Sequence, residues 1–234
     1  MLDRSAELVE IMAGRSPRSI SKLMDISPQL GELNFERFQN WETPFTPETA
    51  RPAILAFKGD VYMGFDAASL GQRDFTHAQK TLRILSGLYG VLRPLDLMMP
   101  YRLEMGTKLK TSRGRDLYEF WGDRITEELN RSLADSPGGK FLVNLASKEY
   151  FKAVKPELLD GPVVTPAFLD AKGAGDYRTI GFFAKRARGA MAAWAIKHRA
   201  RSMADLEGFD GLGYAFSPDR STEGRPVFLR RNPA

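Results

Sequence analysis

The chain has 234 residues, of which 43% are hydrophobic and 27% charged, a globular composition with enough apolar material for a sizeable core. It has no cysteine, which excludes disulfides, thiolate nucleophiles and cysteine-based zinc sites. Two histidines, His77 and His198, lie far apart and argue against a histidine-rich metal centre, while 34 Lys and Arg against 29 Asp and Glu leave a formal net charge of +5.

Residues 3–14 and 18–25 read as short amphipathic helices broken at Ser16-Pro17, and Ser27-Pro28 starts a third, running to about Phe38. Thr43-Pro44 and Thr46-Pro47 mark a loop. Ala53-Ile54-Leu55-Ala56-Phe57 reads as a buried strand that turns at Lys58-Gly59-Asp60. Asp74 to Ser86 reads as a helix with Phe75, Ala78, Leu82 and Leu85 on one stripe, and Asp116 to Leu133 as another. Phe141 to Leu145 reads as a strand feeding a helix from Ser147 to Val154. Strands follow at Pro162–Leu169 and Thr179–Phe183, then a helix from Ala184 to Arg201. Tyr214-Ala215-Phe216 and Pro226 to Arg230 form a closing hairpin turned at Glu223-Gly224. Helices and strands mix without strict alternation, which predicts a mixed α/β (α+β) fold in a single domain over 1–234. No run approaches the roughly 18 apolar residues of a membrane span. Met1-Leu2-Asp3-Arg4 lacks the order of a signal peptide, so the chain is expected in the cytoplasm with no membrane partner.

Four constellations bear on chemistry. The first is Leu85-Ser86-Gly87-Leu88-Tyr89-Gly90-Val91-Leu92-Arg93-Pro94, where two glycines bracket an apolar pair between expected helical segments. Glycines allow close backbone approach, and a helix start behind them offers free N–H groups to a phosphate, with Arg93 adding charge. The same pattern equally describes a tight structural turn with a glycine C-cap. The second is the stretch between Asp176 and Asp205, which has no carboxylate but carries Arg178, Lys185, Arg186, Arg188, Lys197, Arg199 and Arg201. A one-sign run of this length favours an anion-binding surface. The third is Asn144 to Lys155, a strand end feeding a helix with Ser147 as N-cap, where Lys148, Lys152 and Lys155 share a face. The plain reading of that face is a solvated one. The fourth sets Lys58 and Asp60 in Phe57–Tyr62 beside Tyr101, Arg102 and Glu104 in Tyr101–Gly106. Such pairs serve as catalytic acid and base or as structural ion pairs, and the structural role is the commoner. Neither a P-loop nor a G-x-G-x-x-G occurs, so no nucleotide cradle, cofactor or metal site is expected.

The run from Leu85 to Leu97, continuing into Pro100-Tyr101-Arg102-Leu103-Glu104-Met105-Gly106, closely resembles the signature of the YaaA peroxide-stress family. Phe57–Tyr62, Phe120-Trp121-Gly122, Asn144–Ser147 with Glu149-Tyr150-Phe151, and Phe183–Gly189 match it too, and the resemblance covers about Lys22 to Phe228. It implies a cytoplasmic protein of the oxidative-stress response that helps limit free iron and peroxide damage to DNA. It also implies a mixed α/β fold with a helix-hairpin-helix element, here about residues 74–100, and a basic cleft, both binding duplex DNA. The residues this assigns to DNA are Ser86, Gly87, Leu88, Tyr89, Gly90 and Arg93 in the hairpin, with Lys148, Lys152, Lys185, Arg186 and Arg188 placed in the cleft by their charge. No obligate protein partner is evident, and catalysis is not the leading expectation. The rival is an enzyme of unknown reaction built from Lys58, Asp60, Tyr101, Arg102, Glu104, Lys148 and Tyr150. Direct iron handling is a weak third, since its ligands would have to be carboxylates. Members of the family usually open with a further strand and a Ser-Pro-Ala-Lys stretch. Met1 here corresponds to a point inside a later helix, so the chain is expected to lack that segment.

Overall fold

The computed structural model describes residues 1–173 and 175–231. In chain order the helices and strands are α1 (Leu2–Ala13), α2 (Pro17–Met24), α3 (Pro28–Gln39), β1 (Arg51–Pro52), α4 (Ala53–Ala56), α5 (Asp60–Phe65), α6 (Gln72–Thr81), β2 (Ile84–Ser86), β3 (Gly90–Leu92), β4 (Leu97–Met98), α7 (Leu117–Trp121), α8 (Arg124–Ala134), β5 (Leu142–Val143), α9 (Lys148–Phe151), β6 (Val163–Val164), β7 (Ala167–Gly173), β8 (Asp176–Arg178), α10 (Gly181–Lys197), α11 (Met203–Glu207), β9 (Ala215–Phe216) and β10 (Val227–Arg230). This is a mixed α/β fold. Among the described residues no helix is long and apolar enough to cross a membrane.

The chain forms two compact units. The first gathers Met1–Ala56, Arg83–Leu129 and Ser147–Leu158; the second gathers Phe57–Leu82, Asn130–Ala146 and the chain from Leu159 onward. Because the chain passes repeatedly from one to the other, no single linker exists for a sequence reading to find.

In the first unit, α2 and α3 start as their sequences dictate. Ser16 Oγ accepts from Ser19 N–H, Ser27 Oγ accepts from Leu30 N–H, and Pro17 and Pro28 occupy the first helical positions. Leu8 and Met12 of α1, Ile20 of α2 and Phe38 of α3 are fully buried. The same core takes in Leu88, Tyr89, Leu103, Met105 and Trp121. From Tyr101 to Lys110 the chain runs with period two. Leu103, Met105, Thr107 and Leu109 are buried, while Glu104, Gly106, Lys108 and Lys110 are exposed. This run belongs to none of the sheets, so the alternation is set by burial of one side.

In the second unit a four-stranded sheet runs in the order β8-β7-β10-β9, with β7 and β10 parallel and the outer pairs antiparallel. Phe168, Met191, Phe209, Tyr214 and Phe228 form its core with Ala184 and Ala187 of α10. Helices α10 and α5 meet backbone to backbone. A Cβ on Gly189 would stand 1.8 Å from the Val61 carbonyl oxygen, and one on Gly64 would stand 2.0 Å from that of Arg186.

Several expectations are corrected. The helix expected over 74–86 ends at Thr81, and residues 84–92 form an antiparallel β-hairpin pairing Ile84 with Leu92, Leu85 with Val91 and Ser86 with Gly90. Of the helix-hairpin-helix expected over 74–100, only the first helix, α6, is present, and strand, turn and strand follow it over 84–92. The apolar run 53–57 is the short helix α4, whose Ala53 and Ile54 amides donate to the Asp96 and Pro94 carbonyls. Short apolar runs carry no period that separates helix from strand. The helix expected over 116–133 breaks at Gly122, held at φ 53. Residues 179–183 are not a strand, since α10 has begun by Gly181, and the 147–154 helix shrinks to α9. The closing antiparallel pair is present as β9 and β10.

Candidate functional site

Within the first unit, three of the signature segments converge. Ser86, at the end of β2, shares a short 2.5 Å hydrogen bond with the Tyr101 hydroxyl, and its Oγ accepts from the Tyr89 amide at 2.8 Å. Ser86 Oγ thus ties the hairpin turn to the Tyr101–Gly106 segment. The Tyr89 hydroxyl accepts from the Trp41 indole and the Met99 amide and donates to the Met99 carbonyl. Burial pushes the Tyr89 phenol up to about 12. The Trp121 indole donates to the Gly87 carbonyl at 3.0 Å. A Cβ on Gly87 would stand 2.1 Å from the Leu103 carbonyl oxygen, and Gly90, at φ 70, faces the Trp121 ring. Ser86, Gly87, Leu88, Tyr89 and Gly90 are all buried. Gly87 thus serves close packing against the 101–106 segment and Gly90 close packing against Trp121, and neither is open to the approach of a phosphate. The expected phosphate clamp at this turn is corrected on that ground. Arg93, exposed beyond it, is bonded to Asp96 through both its side chain and its amide.

The same unit builds a polar surface where 101–106 meets α9. Arg102 pairs with Glu104 at 2.6 Å. Glu149 accepts from the Gly106 amide at 2.8 Å, and its backbone carbonyl accepts from the Tyr118 hydroxyl. Tyr150 is pushed up to about 12, by burial first and then by the Glu149 and Glu104 carboxylates, with Arg102 opposing. It therefore remains a hydrogen-bond donor at neutral pH. Lys148 is exposed, and Lys152 lies 4.5 Å over the Tyr118 ring. The expected three-lysine face does not form, because α9 stops at Phe151 and Lys155 turns to Asp123.

The remaining expected residues lie in the second unit. Gly59 caps α5 at φ 121, leaving Lys58 exposed. Asp60 pairs loosely with Lys185 at 3.9 Å. Arg186 sits 4.9 Å over the Phe182 ring. Arg188 is half-buried, donates to the Ala184 carbonyl, and is held below its usual value by burial. The seven residues of the enzymatic alternative are thus divided, with Lys58 and Asp60 in one unit and Tyr101, Arg102, Glu104, Lys148 and Tyr150 in the other.

One buried network escapes sequence reasoning altogether. Asp170 of β7, fully buried, accepts from the Tyr214 hydroxyl at 2.9 and 3.0 Å and from Arg230 Nε at 2.7 Å. Its members come from places 44 and 60 residues away in the chain. An aspartate inside the Ala167–Gly173 strand is the only local signal, since an isolated charge in a buried strand calls for a partner.

The charge divides unevenly. The first unit holds 17 Lys and Arg against 17 Asp and Glu, whereas the second holds 17 against 12. The whole net charge of +5 therefore belongs to the unit that contains the carboxylate-free stretch.

Residues 1–220 match the family described as "Peroxide stress protein YaaA". The chain belongs to the YaaA peroxide-stress family. Among curated proteins, a UPF0246 protein of Saccharophagus degradans is 54% identical over 231 residues, covering 99% of this chain and 90% of the relative. A UPF0246 protein of Idiomarina loihiensis is 53% identical over 230 residues, covering 98% and 88% respectively. One of Burkholderia lata is 53% identical over 231 residues with the same coverage. Of the YaaA signature segments named from the sequence, three form the buried hairpin, the 101–106 run and α9, while Phe57–Tyr62, Phe120–Gly122 and Phe183–Gly189 fall at α5, α7 and α10. Among the described residues, no group of three or more His, Cys, Asp and Glu is arranged to hold a metal ion.

Proposed function

We propose that this YaaA-family protein works in the cytoplasm during peroxide stress as a sequence-independent binder of duplex DNA, helping to limit free iron and oxidative damage. The contact is made by exposed cations of the second unit and not by the buried 86–90 turn. The observation that carries this reading is the confinement of all the surplus positive charge to that unit. There Arg178, Lys185, Lys197 and Arg201 are exposed within a stretch free of Asp and Glu. Each cation that neutralises a phosphate releases a counterion, so affinity should fall linearly on a log–log plot against salt. Direct iron ligation is no part of the proposal.

The test is fluorescence anisotropy on labelled duplexes of two unrelated sequences over a salt series. Both sequences should bind alike. Replacing Arg178, Lys185, Lys197 and Arg201 together by alanine should weaken binding and flatten the salt slope by about 0.9 for each phosphate that is no longer neutralised. Arg93→Ala should leave binding unchanged. Affinity indifferent to salt, or to the fourfold replacement, overturns the proposal.

A second reading, catalysis of an unknown reaction, is favoured by the gathering of Arg102, Glu104 and Tyr150 around the 101–106 run. It predicts that Arg102→Ala abolishes peroxide protection in cells while duplex affinity stays intact. Full protection by that variant removes this reading.

A further inference from the structure

The second unit carries a half-open groove of about 560 Å³ that the DNA reading leaves unused. Its apolar lining comes chiefly from Leu212, Ala215, Phe216 and Leu229, and two cations, Arg230 and Arg231, line it too, beside Ser217. The size falls within the range of small-molecule sites, roughly 300–1,000 Å³.

Arg230 is not a loose surface cation. Its Nε is bonded to the fully buried Asp170 at 2.7 Å, and Asp170 is held in turn by the Tyr214 hydroxyl. Its guanidinium carbon lies 4.1 Å from the Phe183 ring centroid and 4.9 Å from that of Tyr214. The side chain is therefore pinned on one edge and supported by two aromatic rings, a pre-organised fork. Its Nη2 is buried and has no hydrogen-bond partner among the described residues. That atom is closed to solvent, so it is the rest of the Arg230 side chain that lines the groove and can meet a ligand there. Leu212, a non-glycine residue at φ 57, precedes Gly213 at φ 78, and together they fold the chain back beside the Arg230 stem.

We propose that this groove binds an amphiphilic anion, its carboxylate or phosphate taken by Arg230 and Arg231 and its apolar body lying along Leu212, Phe216 and Leu229. Arg230 is already neutralised by Asp170, so the exposed Arg231 supplies the uncompensated charge. That balance suits a small ligand of low charge with a hydrocarbon portion, for which bidentate, charge-assisted contact to a planar guanidinium gives direction as well as attraction. The site shares no residue with the cations assigned to duplex DNA, so either proposal can fail alone.

Isothermal titration of the full chain with octanoate, octyl phosphate and 1-octanol tests it. At least one of the anions should bind with a stoichiometry of one, and 1-octanol should bind weaker by about tenfold or more. The tighter of the two anions identifies the headgroup. Ala215→Glu and Arg231→Glu, both at exposed positions, should each weaken that anion by about tenfold or more while the melting temperature stays put. Absence of saturable heat from both anions overturns the proposal, as does equal affinity for 1-octanol or unchanged affinity in both variants.

Discussion

Removing Asp170 is the sharpest perturbation that the second unit offers. The carboxylate is fully buried, and the Arg230 side chain is only 11% exposed. Asp170→Ala deletes the acceptor of two donors at once, the Tyr214 hydroxyl and Arg230 Nε, and leaves a guanidinium buried without its counter-charge. Breaking a buried pair by removing one member costs about 3–5 kcal/mol, a large part of the roughly 5–15 kcal/mol by which domains are stable. Arg230→Met should cost a similar amount from the other side. Tyr214→Phe should cost less, about 1.5–3 kcal/mol, because it removes one hydrogen-bonding hydroxyl from a charged acceptor and leaves the ion pair. Taking out everything together, as Asp170→Leu, Arg230→Met and Tyr214→Phe, leaves no orphaned charge or hydroxyl. The triple variant should therefore be more stable than either charge-breaking single variant. Because the chain has two units, global melting need not be two-state. Hydrogen exchange at the β7 and β10 amides isolates the relevant one. Protection there should fall by roughly 10²- to 10⁴-fold in Asp170→Ala, the exchange equivalent of 3–5 kcal/mol. A loss under about 1 kcal/mol, or a triple variant as damaged as the sum of the singles, would refute the idea that the three residues act as one unit.

Ser86→Ala should destabilise the first unit by about 1–3 kcal/mol, since it leaves the buried Tyr89 amide without an acceptor, and Tyr101→Phe should cost about 1 kcal/mol. Urea titration that reverses this order contradicts the structural role given to Ser86. Gly189→Ala drives a Cβ into the Val61 carbonyl and should lower stability by about 1–3 kcal/mol or more by forcing α10 off α5, read as a drop in the urea midpoint. The His77 imidazole is held below its ordinary 6.5 by burial first, then by Arg199, Arg201 and Lys80, with Asp74 opposing. Below about pH 6.5 the unfolded chain binds the proton that the native state resists, so stability should fall as pH drops through that value. His77→Gln should flatten this dependence in thermal melts between about pH 5 and 7, and an unchanged slope would exclude His77 as its source.

Helices α1, α2 and α3 are legible in the sequence because their signals are local: apolar residues at helical spacing in α1, with a serine cap and a proline at the first turn added in α2 and α3. The α10 helix is legible for the same reason over most of its length. The hairpin at 84–92 is not. Leu82 and Leu85 continue the apolar spacing of α6, and nothing nearby shows that the Leu103 carbonyl will lie against Gly87 or the Trp121 ring against Gly90. Helical periodicity therefore carries past Thr81, although the backbone turns extended at Leu82. The candidate site divides in the same way. Arg102 and Glu104 pair because they are neighbours in the chain, but the link from Gly106 to Glu149 spans 43 residues and that from Arg230 to Asp170 spans 60. Side-chain type announces that such groups need partners, while only the path of the chain decides which they find.

By itself the amino-acid sequence determined the family, the mixed α/β class, the capped helices, the lack of any thiol chemistry and the basic run without carboxylates. Each of these is a property of composition or of residues within a few positions of one another. Tertiary structure alone decided that the glycine-bracketed turn is core, that the surplus charge belongs to one unit, and that a buried aspartate pins Arg230 beside a groove. Those outcomes depend on which distant surfaces exclude water together, and burial is a property of the assembled chain that no short window of residues contains.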